Sequence, residues 1–127
     1  MEPIWRVPDE FREIYAHSRG ALAGSRLLFI SGQFGVAPDG SLAPTFTAQA
    51  EQAMTNVETL LARAGMTRVD IVKLSYYVTA AGDLPALGTI RRLRWNLAEP
   101  PAVTVLVVAA LARPEYLVEI EAIAALL

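Results

Sequence analysis

The stretch "AVTVLVVAAL", Ala102 to Leu111, constrains the fold more than any other part of the chain. An extended backbone turns alternate side chains to opposite faces, and nearly all of these are apolar. Such a strand has to be covered on both sides. Helices joining the strands of a sheet each carry one apolar stripe and cover one side, so the other side must meet something besides bulk water. A second copy of the chain is the simplest cover. Composition agrees: 54% of the 127 residues are hydrophobic and the mean hydropathy is +0.36, high for a chain with the surface-to-volume ratio of one small domain.

The remaining elements follow in order. "EIYAHSRGALA" and "RLLFISG" flank Gly24 and Ser25 and read as a strand pair, with Gly20 a candidate bulge. "GVAPDGSLAPT" collects loop formers. Phe46, Ala50, Ala53, Met54, Val57, Leu60, Leu61 and Ala64 then recur at three and four, which predicts a one-sided helix capped by Thr45 or Thr47 and ended by Gly65. "VDIVKLSYYVT" is rich in β-branched and aromatic residues and reads as a strand. Asp83 can cap a second helix with Pro85 in its first turn and Leu84, Leu87, Ile90, Leu93 and Leu97 spaced for packing, stopping before Pro100 and Pro101. Two closing strands, roughly Ala102 to Leu111 and Tyr116 to Ala125, give the order β-β-α-β-α-β-β. This is an α+β fold, a mixed sheet with two helices packed on one face, expected as one domain over residues 1–127.

The inventory excludes several chemistries. With 11 basic and 13 acidic residues and a pI near 5.4, there is no field to draw in nucleic acid or an anionic membrane. There is no cysteine and one histidine, His17, so disulfides, thiolates and a conventional His/Cys zinc site are excluded, and His17 reads as an ordinary strand residue. Ser31 in "FISGQFG" is no elbow nucleophile, because Phe29 stands where the first glycine of G-x-S-x-G belongs. No phosphate loop or dinucleotide fingerprint is present. Arg91, Arg92 and Arg94 cluster on the second helix, a pattern more typical of a solvated face than of an RNA site. The longest apolar run is too short to cross a membrane and the N-terminus is too charged for a signal peptide, so the expected location is cytoplasmic.

Two charges stand out in the apolar closing stretch. Glu119 and Glu121 are two apart on a strand, so they share one face at about 6.6 Å, while Val118, Ile120 and Ala122 point the other way. They face either water or a site.

From Leu27 to the end, the blocks "LLFISGQFGVAPDGSL", "QAEQAMTNVETLLARAGMTRVDIVKLSYYV" and "PPAVTVLVVAALARPEYLVEIEAIA" resemble the Rid family (RidA or YjgF proteins, also catalogued as endoribonuclease L-PSP and as translation inhibitors). The resemblance implies a chorismate-mutase-like fold and a homotrimer with clefts between subunits for small, often carboxylate-bearing metabolites. It implies hydrolysis of 2-imino and enamino acids to 2-oxo acids and ammonia without metal or cofactor. It places the family's acid at Glu119, backbone contacts at Gly32 in the Ser31-Gly32-Gln33 segment, the family tyrosine at Ser18 or nearby Tyr15, and the family asparagine at Ala86. The arginine that holds the substrate carboxylate is matched by Val103. Val105 and Val107 share that face and make an apolar wall, which implies a less anionic ligand or a cation supplied from elsewhere, with Arg113 a candidate.

Overall fold

The computed structural model describes residues 4–6, 19–96 and 99–127. The helical stripe folds as α1, Phe46–Arg63. Thr45 caps its start, its hydroxyl accepting from the Ala48 N–H at 3.1 Å. The chain leaves the far end through Gly65, whose φ of 72° lies in the left-handed region that glycine enters without a Cβ clash. Ala50, Ala53, Met54, Val57 and Leu61 are completely buried, and the small residues among them let the helix lie close on the sheet.

The sheet is built from β3 (Arg26–Gln33), β4 (Ile71–Val78), β5 (Ala102–Val107) and β6 (Val118–Leu126), in the order β3-β6-β4-β5. β6 runs antiparallel to both neighbours and β5 runs parallel to β4, so the sheet is mixed. A parallel pair needs a crossover, and the second helix, α2 (Leu84–Arg94), supplies it. Register fixes the two faces. Tyr76 lies opposite Ile120 in β6 and beside Val105 in β5, so these side chains share the helix-covered face with Leu74, Val78, Val103 and Val118. Tyr77 lies opposite Glu119 and Ser75 opposite Glu121, so these four turn to the uncovered face.

Several expectations are corrected. The first predicted strand, 13–23, is described only from residue 19; that part forms β2 (Arg19–Ala21), which pairs with β1 (Ile4–Arg6), an unpredicted strand, and not with β3. The Arg19 guanidinium donates to the carbonyls of Glu99 and Pro100 at 2.7 and 2.5 Å, which ties β2 to the segment entering β5. Gly20 faces Trp5 in an unbroken register and forms no bulge. Asp83 makes no side-chain cap, because a 3-10 turn, Ala81–Asp83, runs straight into α2. Of the described residues of the second stripe only Leu87 and Ile90 are buried; Leu93 is 80% exposed. β5 ends at Val107, since β4 ends at Val78 and only the Val108 N–H still finds a partner, the Val78 carbonyl at 2.8 Å. Tyr15, His17, Ser18 and Leu97 lie outside the described residues.

Two amides on α1 tie the loops to this frame. Gln49, 2% exposed, donates to the carbonyls of Ala43 and Glu115 at 3.1 and 3.2 Å and accepts from the Leu117 N–H at 2.9 Å. Two turns on, Asn56 donates to the carbonyls of Phe34 and Val36 at 3.1 and 2.9 Å. Phe34 in turn stacks on Tyr116, ring centroids 4.4 Å apart. Replacing Gln49 by alanine strands three backbone groups, and stability should fall by about 3 kcal/mol in urea denaturation. Exposed Thr59→Ala on the same helix should stay within about 0.5 kcal/mol of the parent.

Candidate functional site

The bonds to Gln49 and Asn56 fix the segments on either side of one close approach. β3 and β6 lose register between Ile30 and Gln33, so the chain carries one extra residue there and swings Gly32 over β6. A Cβ on Gly32 would overlap the Glu119 carboxylate, so only glycine lets the acid and the backbone lie this close. The predicted pair Gly32 and Glu119 is therefore brought together.

Glu119 is half-buried, and its carboxyl is held above the ordinary carboxylate range, first by burial and then by the charge of Glu121 two residues on. Glu121 accepts a 2.5 Å hydrogen bond from the Tyr77 hydroxyl. That bond, followed by desolvation, pushes the tyrosine's own titration upward and keeps it a donor. The two carboxyls thus divide: Glu121 is engaged by Tyr77, whereas Glu119 is the one that favours holding a proton. Tyr77 was not singled out in the sequence, because its role depends on β4 lying beside β6.

The other predicted residues distribute differently. Ser31 opens onto a cavity of about 290 Å³ on the uncovered face, with Phe29, Lys73, Ser75 and Glu121. The Gln33 amide turns back on the Ser31 carbonyl at 3.0 Å. Val103 and Val105 pack against the core on the helix side, so within one chain they and Glu119 lie on opposite faces of the sheet. Arg113 is exposed in the turn before β6, where its carbonyl accepts from the Tyr116 N–H at 3.1 Å. Ala86 is partly buried against the core and supplies no polar group. Among the described residues no group of three His, Cys, Asp or Glu side chains could hold a metal ion, and no helix is long and apolar enough to cross a membrane.

Known proteins extend this picture. A family model described as endoribonuclease L-PSP matches residues 8–126. The RutC family protein YjgH of Escherichia coli is 36% identical over 74 residues, 57% of this chain and 56% of its own length. The chain spans about half the length of the curated relatives it matches. Among solved structures, the Rid family protein YyfB of Yersinia pestis superposes with a TM-score of 0.83 at 32% identity, covering 98% of this chain and 100% of that one. RidA from an Antarctic Psychrobacter gives a TM-score of 0.73 at 34% identity, covering 84% of this chain and 92% of that one. A family match over nearly the whole sequence, together with Rid neighbours that superpose over 98% and 84% of it, establishes that this chain belongs to the Rid (RidA/YjgF) family, the endoribonuclease L-PSP family.

Proposed function

We propose that this chain works as a homotrimer that binds, and hydrolyses, a small imine- or enamine-like metabolite in clefts between subunits, with Glu119 as the acid-base group. Family membership supports a small-molecule-binding or endoribonuclease-like role. The observation that carries the hydrolytic reading is Glu119 itself, a half-buried carboxyl with a raised proton affinity, set against the Gly32 backbone. Imine hydrolysis needs such a group twice. As carboxylate it takes a proton from water while the oxygen bonds to the C=N carbon, and as acid it passes that proton to the nitrogen to give a carbinolamine; it then takes the carbinolamine hydroxyl proton and delivers it to the amine as the C–N bond breaks, leaving a carbonyl and ammonia.

The uncovered face supports self-association. Leu27 and Phe29 are 55% and 69% exposed there, beside polar groups that can serve a ligand. A subunit junction over this face also allows the opposite-facing Val103 of a neighbour to meet Glu119. The RNA reading receives less support, because the arginines of α2 diverge. Arg94 is bonded to the Glu51 carbonyl and paired with Glu58 at 3.5 Å, whereas Arg91 lies over the Tyr76 ring.

Light scattering on a sizing column should give a particle of three 13.8 kDa chains. A monomer would contradict the trimer. Imines made in situ by an amino-acid oxidase test the chemistry. The leucine-derived imine should release ammonia, and Glu119→Gln should slow release by about 100-fold or more. The alanine-derived imine should stay near background, because a valine at 103 rewards an apolar body and offers no charge. Equal rates for parent and Glu119→Gln would rule out hydrolysis at this group and leave a binding protein.

Stability carries a second signature of the same carboxyl. A carboxyl whose folded titration lies above its ordinary value, here 4.5, contributes stability below that value and loses it as pH rises through the raised one. The stabilisation of parent over Glu119→Gln, read from denaturation midpoints, should therefore shrink as pH rises above 4.5; a difference independent of pH would contradict it.

A further inference from the structure

Glu119 and Glu121 stand on one face of β6 and lean to opposite neighbours. The Glu119 carboxyl reaches toward β3, so close to Gly32 that a Cβ there would overlap it. The Glu121 carboxyl is held from the other side by β4, where the Tyr77 hydroxyl donates to it at 2.5 Å. Register makes that bond selective. Tyr77 lies directly opposite Glu119, and Ser75 lies opposite Glu121. A long aromatic side chain on a strand can reach its diagonal neighbour as well as its direct one, and the small side chain of Ser75 leaves room for the phenol to do so. The hydroxyl thus passes by its direct partner and engages the next acid along. Among the described residues no donor is bonded to the Glu119 carboxyl.

Two carboxyls on one strand face, two residues apart, can come together and share a proton, and neither is then a dependable base or acid. Tying one of them to another strand removes the competition. We propose that Tyr77 is a positioning residue for the proposed site: by holding the Glu121 carboxylate against β4, it leaves Glu119 as the single carboxyl that exchanges a proton with the ligand. Glu121 then acts on Glu119 only through its charge, which adds to burial in holding the Glu119 carboxyl above the ordinary range. Among the described residues of the four strands, the other charge on this face is Lys73 of β4. It lines the same cavity as Glu121 and directs its ammonium to the Thr104 hydroxyl of β5 at 2.6 Å, while β3 brings only the uncharged Ser31 to that cavity's polar side. The role rests on the proposed hydrolysis, whereas the fixed placement of the two carboxyls does not.

The experiment follows the Glu119 carboxyl by carbon-13 NMR in the intact protein labelled at glutamate, its resonance assigned by its loss in Glu119→Gln. The pH–rate profile for ammonia release from the leucine-derived imine is measured beside it. Glu121→Gln removes a negative neighbour and should move the Glu119 midpoint to lower pH. Tyr77→Phe frees the Glu121 carboxylate to approach and should move the midpoint to higher pH. On a Glu121→Gln background Tyr77→Phe should add no further shift, because the tyrosine acts through the acid. The acid limb of the rate profile should follow each midpoint, so Tyr77→Phe should slow release about threefold or more at about pH 5 and by less at alkaline pH. A Glu119 midpoint unmoved by Tyr77→Phe, or moved equally with and without Glu121, would overturn the role and leave Glu119-dependent hydrolysis standing. The expected shifts in a protein that releases no ammonia would uphold the placement of the two carboxyls and reject the hydrolytic reading instead.

Discussion

The fold depends on an exchange of hydrogen bonds between one helix and two loops. Gln49 and Asn56, seven residues apart and so near one face of α1, between them satisfy five backbone groups, at Phe34, Val36, Ala43, Glu115 and Leu117. Loops rarely run inside a protein because their backbone polar groups go unmet, and here side-chain amides meet them. The result fixes the end of β3 and the start of β6. Gly32 and Glu119 lie at those two points, so the closest approach in the candidate site follows from amides placed well away from it.

The second organising fact is that the two glutamates and the arginines of α2 lie on opposite faces of the sheet, with Lys73 the cation on the glutamates' side. Glu119 and Glu121 lie on the uncovered face, and Arg91 and Arg92 reach a cavity on the covered one. A single chain cannot bring an acid and a cation from these positions to one small molecule. Apposition of subunits can, and the exposed Leu27 and Phe29 make burial of the acidic face favourable in any case. Under the proposed trimer, oligomerisation and site assembly are one event, in which apolar surface supplies the driving force and polar groups the chemistry.

Much of the architecture was legible from periodicity alone. The stripe from Phe46 to Leu61, the cap at Thr45, the exit at Gly65 and the alternation around Glu119 all report local backbone geometry, which sequence records directly. What failed depended on distant partners. β2 turned away from β3 because Arg19 reaches carbonyls some eighty residues on, and the end of β5 was set by the length of β4. Within the site, Glu119 and Gly32 could be named because each sits in a recognisable local motif. Tyr77 and Tyr76 gave no local signal, and Arg91 read only as part of a solvated basic cluster. Their significance lies in what faces them across β4, β6 and α2.

The account turns on whether the two faces meet. A crystal structure of the assembled protein would test this most directly. It should show three subunits, with Glu119 and Gly32 of one subunit facing Val103 of its neighbour across a cleft. An assembly that leaves Glu119 facing open solvent would contradict it.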